Sequence, residues 1–444
     1  YFYQIFKSLG GEKLECTAAD AFLRYINIYG YASFKNKGGE DIKIQIKSIW
    51  EELELLQEKE AINLKLDPEE ERKKTFFEKL FADNPEYIKV AFIHDKTPAE
   101  SGWTYGHELG RLHVEKVFGN RIHTTAYEHA VNAPEEVIEH AIREGNKIIF
   151  TTSPKLLNAS LSIAVKYPDV MILNCSLNKP HRYIRTYYAR MYEAKFIIGA
   201  IAGTLAENGK IGYLCDYPIY GQIAGINAFA LGVQMVNPRA KIYLEWSCLD
   251  GVHEALCRLV EQDISLISSQ DLSQNSDNEK KPFGLFRFDK NNLVNLAMPI
   301  WHWGIYYEKL IHSILNRTMQ LQYESSNKAL NYYWGMSAGV IELIYSKNLP
   351  NGVRKLAQLL ESTISSGIYN PFCGPLKNQS GEYIDMEGKG LPLESVITMD
   401  WLLENIVGTI PEYELLSRDG KATVESAGAP AIHGGITNEN SGNC

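Results

Sequence analysis

The sequence of 444 residues lacks the features of several protein classes. It has no run of about 18 uncharged apolar residues, the length that a membrane-spanning helix needs. Its net charge of -9 leaves no excess of lysine and arginine to neutralise a phosphate backbone. We therefore expect neither a transmembrane helix nor nucleic-acid binding by the main domain.

Cysteine is sparse, with seven residues and no C-x-x-C pair. An odd number of scattered cysteines supports neither a disulfide framework nor a zinc ribbon. Cys175 and Cys215 end apolar, strand-like runs, so we expect both to be buried as small hydrophobic side chains.

The simplest catalytic patterns are also missing. Neither the phosphate-binding pattern G-x-x-x-x-G-K-[ST] nor the dinucleotide pattern G-x-G-x-x-G occurs. His107, Glu108 and His113 lack the i, i+4 histidine spacing of a helical zinc protease. We expect a binding protein without catalytic residues, metal or cofactor. An enzyme is the alternative class, and it would be recognised by turnover of its ligand.

Short apolar runs that alternate with amphipathic helices dominate the chain from Lys89 onward. Strands that are apolar throughout are typical of a parallel sheet covered on both faces. Strands are predicted at 89–94, 122–128, 147–152 and 170–175, then again at 210–216, 241–246, 264–269 and 283–288. The repeat indicates two doubly wound α/β lobes, whose ligand would lie at the carboxyl ends of the strands.

The two ends of the chain differ from this body. Residues 1–87 carry helical spacing and dense charge, with Asp67 as a helix N-cap and Pro68 in the first turn. We expect a small helical segment there, a last helix near 399–406, and a flexible polar tail over 413–444.

Several segments resemble the basic membrane protein family of receptors associated with ABC transporters. They include SGWTYGHELGR at 101–111, YYARMYEAKFIIGAIAG at 187–203 and GKIGYLCDYPIYGQIAGINAF at 209–229, and the likeness runs in order from about 88 to 412. The resemblance implies a type I periplasmic-binding-protein fold, with two lobes joined by three crossovers at a hinge. Lobe 1 is expected over about 88–185 and 297–330, and lobe 2 over about 186–296 and 331–412.

The resemblance also implies a purine nucleoside or nucleobase as ligand, held between aromatic side chains of the two lobes. Trp103 occupies the stacking position of the first lobe, Thr104 stands where many relatives have an amide, and Asp95 is the candidate carboxylate for the base edge. Stacking of a base on an aromatic ring stabilises binding by about 1–3 kcal/mol.

The second lobe departs from the family pattern. The stacking position reads Cys248-Leu249-Asp250, so Trp246 would supply the second ring, with Asp250 beside it. The Gly-x-Asp that contacts ribose in nucleoside-binding relatives reads Gly284-Leu285-Phe286-Arg287. Nucleobase and nucleoside therefore both stay open.

Three further candidates come from the ends of predicted strands, together with one aromatic run. Thr152, Ser153 and Gln270 follow strands, where their side chains could cap helices, contact the ligand, or do both. Trp301 lies in a run of alternating rings and faces either the cleft or the hinge core.

The expected partners are a purine ligand and an ABC permease, and the protein is expected to be a monomer. By resemblance it would be an extracytoplasmic, membrane-anchored lipoprotein. The chain begins without Met and shows no signal sequence, so an upstream segment is expected to have been removed or left out. A cytoplasmic ligand-sensing regulator of the same fold is the alternative.

Overall fold

The computed structural model describes residues 87–177, 184–269, 284–289, 292–315, 331–385 and 388–427. The predicted helical segment, apart from Tyr87, lies outside these residues, as do Gln270 and the last part of the expected tail.

The first lobe is built on a six-stranded sheet in which all neighbours run parallel. The strands are β1 (Ile88–Ile93), β2 (Ile122–Tyr127), β3 (Ile148–Thr151), β4 (Met171–Cys175), β5 (Arg185–Ala189) and β11 (Asn331–Trp334). Their order across the sheet is β11-β5-β4-β3-β1-β2.

Helices on both faces explain why β3 and β4 are buried along their whole length. They are α1 (Gly102–Phe118), α2 (Pro134–Arg143), α3 (Leu157–Lys166) and α8 (Trp303–Leu315). Helix α2 has the expected end signals, with Pro134 in its first turn, Glu135 and Glu136 after it, and Arg143 in its last turn. It buries Ile138 and Ala141 against the sheet core.

The second lobe has a seven-stranded mixed sheet. The strands are β6 (Lys210–Cys215), β7 (Lys241–Trp246), β8 (Leu266–Ser268), β9 (Leu285–Asp289), β10 (Asn292–Trp301), β12 (Ile341–Tyr345) and β13 (Ile406–Val407). Their order across the sheet is β12-β10-β9-β8-β6-β7-β13. Strand β9 runs antiparallel to both β8 and β10, and β12 runs antiparallel to β10, so the second lobe repeats the first only in part.

The helices of the second lobe surround this sheet. They are α4 (Met191–Leu205), α5 (Gln222–Val236), α6 (Ser247–Asp250), α7 (Val252–Glu261), α9 (Asn351–Ser365) and α10 (Leu393–Ile397). Helices α4 and α5 cross at glycines: a Cβ on Gly199 would overlap the carbonyl oxygen of Phe229, and a Cβ on Gly232 would overlap that of Phe196. The two backbones therefore touch, which larger residues would prevent.

The chain passes between the lobes three times, as the family resemblance implied. It leaves the first sheet after β5, returns after β10, and leaves again between β11 and β12. Glu193 ties the first and third passages together, because it forms an ion pair with Arg190 at 3.2 Å and accepts the backbone N–H of Met336 at 2.7 Å. Burial raises the pKa of Glu193, while Arg190 and the Met336 N–H favour its charged form. The α/β fold with two lobes and a hinge is confirmed.

The strand ladders set lobe boundaries that differ from the expected ones. Arg185–Ala189 pairs with β4 and stays in the first sheet, which also takes Asn331–Trp334. Strand β10 pairs along its length with β9 and β12, so residues 297–301 belong to the second lobe.

Two expectations for the C-terminal region are wrong. Residues 399–406 do not form a helix, because the side chain of Asn227 bonds both the carbonyl of Trp401 and the N–H of Leu403. Ile406 then pairs with β7. The flexible tail expected from 413 contains instead a helix, α11 (Arg418–Ala427). Across the described part of the chain, no helix is long and apolar enough to cross a membrane.

Candidate ligand-binding site

A cleft of about 470 Å³ lies where the carboxyl ends of strands from both sheets meet. This volume falls within the range of roughly 300–1,000 Å³ that is usual for small-molecule sites. The first-lobe wall includes Ser101, Trp103 and Tyr188, and the second-lobe wall includes Tyr213, Asp216 and Tyr220.

Trp103 lies in the first turn of α1. Ser101 caps the helix by accepting the N–H of Thr104 at 3.3 Å. The indole N–H of Trp103 donates to the carbonyl of Thr152 at 2.7 Å, and its ring stacks near Tyr188 with centroids 6.1 Å apart. Trp103 is half-buried, so one fixed ring contributes to the wall of the cleft.

An aromatic layer behind Trp103 holds the ring in place. His107 and Trp303 both contact it edge-on, at centroid distances of 4.8 and 5.4 Å. His107 is fully buried, stacks on Trp303 at 4.2 Å and bonds the hydroxyl of Tyr307 at 2.6 Å. Burial lowers the pKa of His107 well below its ordinary value, and nearby His94 lowers it further, so His107 is neutral. The floor under Trp103 is therefore rigid and uncharged.

Trp301 supplies a second indole at the end of β10, where the chain passes between the lobes. Its ring meets Trp103 edge-on with centroids 5.5 Å apart, and it lines the cleft. Its buried indole N–H has no hydrogen-bond partner within the described residues. An unsatisfied buried donor costs about 1–3 kcal/mol, so an acceptor on a ligand would be stabilising there.

The second-lobe wall adds the charged groups. Lys195 is only 4% exposed, and its Nζ lies 5.4 Å from the ring centroid of Tyr213. Asp216 accepts the hydroxyl of Ser247 at 2.8 Å. A buried ammonium can donate to a carbonyl or ring nitrogen of a ligand, while a carboxylate can accept from its amino or hydroxyl groups.

Burial sets the protonation of other groups on this wall. The pKa of the Cys215 thiol is well above its ordinary value, because burial and then the charge of Asp216 disfavour the thiolate. Burial also raises the pKa of Tyr220. Both groups are therefore neutral at physiological pH. Cys175 and Cys215 are buried, as expected.

Sequence reasoning missed the second-lobe wall. Several of its residues, including Asp216, Tyr217 and Tyr220, stand in the loop between β6 and α5, while Lys195 comes from α4 and Tyr213 from β6. The signal that could have found the loop residues is their place at the carboxyl end of a parallel strand, where ligands bind in sheets of this kind.

Two predicted second-lobe residues lie away from the cleft. Trp246 is 3% exposed and donates its indole N–H to the carbonyl of Thr409 at 2.8 Å, so its ring belongs to the lobe core. Asp250 lies on the surface and forms an ion pair with Arg258 at 2.5 Å. The hydrogen bonds from Arg258 lower the pKa of Asp250 and hold its side chain away from the cleft.

The polar residues predicted in the first lobe lie behind its wall. Asp95 accepts bonds from the hydroxyls of Thr104, at 3.5 Å, and Ser153, at 3.3 Å. Thr104, Thr152 and Ser153 are all buried, and Ser153 caps the short helix Pro154–Leu156 by accepting the N–H of Lys155. These residues brace the first turn of α1, which carries Trp103. Gln270 lies outside the described residues.

One hydrolase-like pattern does occur, Gly335-x-Ser337-x-Gly339. In hydrolases this pattern forms a sharp turn from a strand into an α-helix. Here it spans the short 3-10 helix Met336–Ala338 between β11 and β12, in the third passage between the lobes. Ser337 is exposed and accepts a hydrogen bond from Arg190 at 3.4 Å, so it lies in a hinge segment and not in a strand-to-helix turn. In the described ranges no three His, Cys, Asp or Glu side chains are grouped to hold a metal ion.

Comparisons with known proteins agree with this architecture. Residues 87–248 match the family described as ABC transporter substrate-binding protein PnrA-like. A purine-binding protein of Brucella abortus (strain 2308) is 30% identical over 342 residues, which cover 74% of this chain and 95% of that protein. A Haloferax volcanii protein named as an ABC transporter glucose-binding protein is 24% identical, covering 73% of this chain and 82% of its own.

Solved structures of similar fold are more distant in sequence. A solute-binding protein of an ABC transporter system from Conexibacter woesei is 14% identical with a TM-score of 0.49, covering 64% of this chain and 98% of its own. A transcriptional activator of the comK gene from Bacillus halodurans is 15% identical with a TM-score of 0.49, covering 64% of this chain and 99% of its own.

Two α/β lobes, three passages of the chain between them and a cleft with aromatic walls define a solute-binding protein. The chain belongs to the PnrA-like family of ABC transporter substrate-binding proteins.

Proposed function

We propose that this protein is a receptor that captures a purine nucleobase or nucleoside in its interlobe cleft and delivers it to an ABC permease for uptake. It acts without chemical change of the ligand. The receptor functions outside the cytoplasm, as a monomer anchored by a lipid.

The observation that carries the proposal is a cleft lined by two indoles, Trp103 and Trp301, and by the side chains of Lys195 and Asp216. A purine has two flat apolar faces and a rim of donors and acceptors. Aromatic rings suit the faces. A buried ammonium, a carboxylate and the N–H of Trp301, which has no partner among the described residues, suit the rim.

The relatives offer two ligand classes, a purine and glucose. The purine-binding relative shares more sequence with this chain, 30% against 24%, and is covered more completely. Both ligands can stack on an aromatic ring, so a direct competition between them is the sharpest test.

Isothermal titration calorimetry with adenine, guanine, adenosine, guanosine, inosine and glucose tests the proposal. We expect at least one purine to bind with one site per chain, and glucose to be weaker by 100-fold or more, a difference of about 2.7 kcal/mol. Purines that fail to bind while glucose binds would assign the cleft to sugars.

The absence of turnover is tested on the same samples. Inosine and guanosine are incubated with the protein, and free base is measured by chromatography. Release of base at a rate that scales with protein concentration would make the protein a hydrolase or, with phosphate present, a phosphorylase.

A further inference from the structure

The C-terminal helix α11 lies against both lobes. On the second lobe it packs against α6, and the N–H of Ser417, just before the helix, donates to the carbonyl of Cys248 at 2.9 Å. On the first lobe it packs against the short helix Pro154–Leu156 and the adjoining α3. The helix therefore bridges the lobes at a place that the three chain passages do not occupy.

The bridging face of α11 is buried. Gly420, Val424 and Ala427, at helical spacing, are all buried, with Val424 6% and Ala427 3% exposed. A Cβ on Gly420 would lie 3.3 Å from the carbonyl oxygen of Cys248, which shows how closely the helix approaches α6. Arg418, Ala422 and Glu425 lie on the exposed side. The helix is thus amphipathic, and its apolar face is buried.

The helix is also fixed to the segment before it. Glu425 accepts the hydroxyl of Tyr413, and Lys421 lies over the ring of Tyr413 at 5.6 Å. These contacts stabilise a short helix of ten residues that would be marginal by itself.

Two side chains of α11, Asp419 and Thr423, hydrogen-bond a residue of the cleft wall, Tyr217. Asp419 accepts the hydroxyl of Tyr217 at 2.6 Å, and Tyr217 is a wall residue of the cleft. Tyr217 comes from the loop after β6, which also carries Asp216. The position of that loop is therefore coupled to the docking of the helix.

We propose that α11 is a clasp that holds the two lobes together over the bound ligand, with Asp419 as the residue that positions Tyr217 in the cleft wall. Ligand exchange then requires the lobes to part, which breaks the contact of α11 with at least one of them. The clasp slows ligand release and sets the residence time. The effect of α11 on ligand release depends on the proposed function, whereas its role in holding the two lobes together does not.

Three substitutions and one control test the clasp in the full chain. Asp419→Ala removes the acceptor for Tyr217, Asp419→Asn keeps an acceptor oxygen, and Val424→Glu places a charge in the buried face. Glu414→Ala removes an exposed carboxylate from the same C-terminal segment and serves as the matched control.

The first measurement is the dissociation rate of a bound purine, followed by stopped-flow displacement. We expect Asp419→Ala to release ligand about 3- to 10-fold faster, the effect of losing one hydrogen bond that holds the closed form. Asp419→Asn should recover most of the slow release, Val424→Glu should be at least as fast as Asp419→Ala, and Glu414→Ala should match the unaltered protein. Equal rates for Asp419→Ala and Glu414→Ala would overturn the positioning role.

The second measurement needs no ligand. Small-angle X-ray scattering of the free proteins should give a larger radius of gyration for Val424→Glu than for Glu414→Ala, because the lobes open when the clasp is released. The same radius for both, with Val424→Glu folded by circular dichroism, would overturn the clasp. If the unaltered protein binds no purine, the proposed function fails while this scattering comparison still decides the clasp. If Val424→Glu does not fold, scattering of Asp419→Ala against Glu414→Ala takes its place, with the same two outcomes.

Discussion

The ring of Trp103 both lines the cleft and packs against the core of the first lobe. Substitutions should therefore separate its contribution to ligand binding from its contribution to stability. Trp103→Ala should weaken purine binding by about 1–3 kcal/mol, a factor of about 5–150, because a stacking face is lost. It should also lower the melting temperature, since the ring packs on His107 and Trp303. Trp103→Phe should bind more tightly than Trp103→Ala because a face remains. Calorimetry and thermal unfolding measure both effects.

Trp246 provides the contrast for this experiment. Its ring is buried within the second lobe and its indole N–H bonds the carbonyl of Thr409, so Trp246→Phe should lower the melting temperature with little change in affinity. If Trp246→Phe lost more affinity than Trp103→Phe, the assignment of the stacking ring to the first lobe would be wrong.

At the scale of single residues, the sequence predicts which residues lie at the ends of strands better than it predicts which way their side chains point. Trp103, Trp246 and Asp250 all follow or end predicted strands, yet only the first lines the cleft. The orientation of the Trp246 side chain depends on its acceptor at Thr409, far along the chain, and that of Asp250 depends on Arg258 in the next helix. Such partners in other elements leave no periodic signal in a single sequence.

Among the helices, the crossing of α4 and α5 should be the least tolerant of added volume. Gly232→Ala should destabilise the protein by about 1–3 kcal/mol, because the new methyl would overlap a backbone carbonyl that cannot move aside. Gly225→Ala in the same helix meets only side-chain atoms, at 3.8 Å, and should be neutral or stabilising by up to about 1 kcal/mol through helix propensity. Urea unfolding compares the two, and equal free energies of unfolding would contradict close backbone contact.

Strands that read as short, continuous apolar runs were predictable as elements. The eight strands predicted from the sequence lie within two residues of their observed bounds. The short strands at the crossovers and the segment near 399–406 were not, because they are held by ladders and by the side chain of Asn227. Their conformation depends on tertiary partners, which local periodicity does not contain.

For the whole molecule, we predict that the cleft closes on its ligand. Two lobes joined by three short passages move as rigid bodies about a hinge. Scattering with a saturating purine should therefore give a smaller radius of gyration than scattering without it. Glucose at the same concentration serves as the control. An unchanged radius, with binding shown by calorimetry, would mean that the ligand enters a cleft that is already closed.

The interleaving of the lobes has a consequence for how the protein is made. Strand β11 completes the first sheet beside β5, but five strands of the second sheet, β6 to β10, lie between them along the chain. A chain that emerges from its amino end, from the ribosome or after export across a membrane, therefore exposes an open, unpaired edge at β5 until residue 334 has emerged. Unpaired edges of this kind invite pairing with other chains. We expect the newly emerged first lobe to depend on a chaperone, in the compartment where it folds, until its last strand arrives.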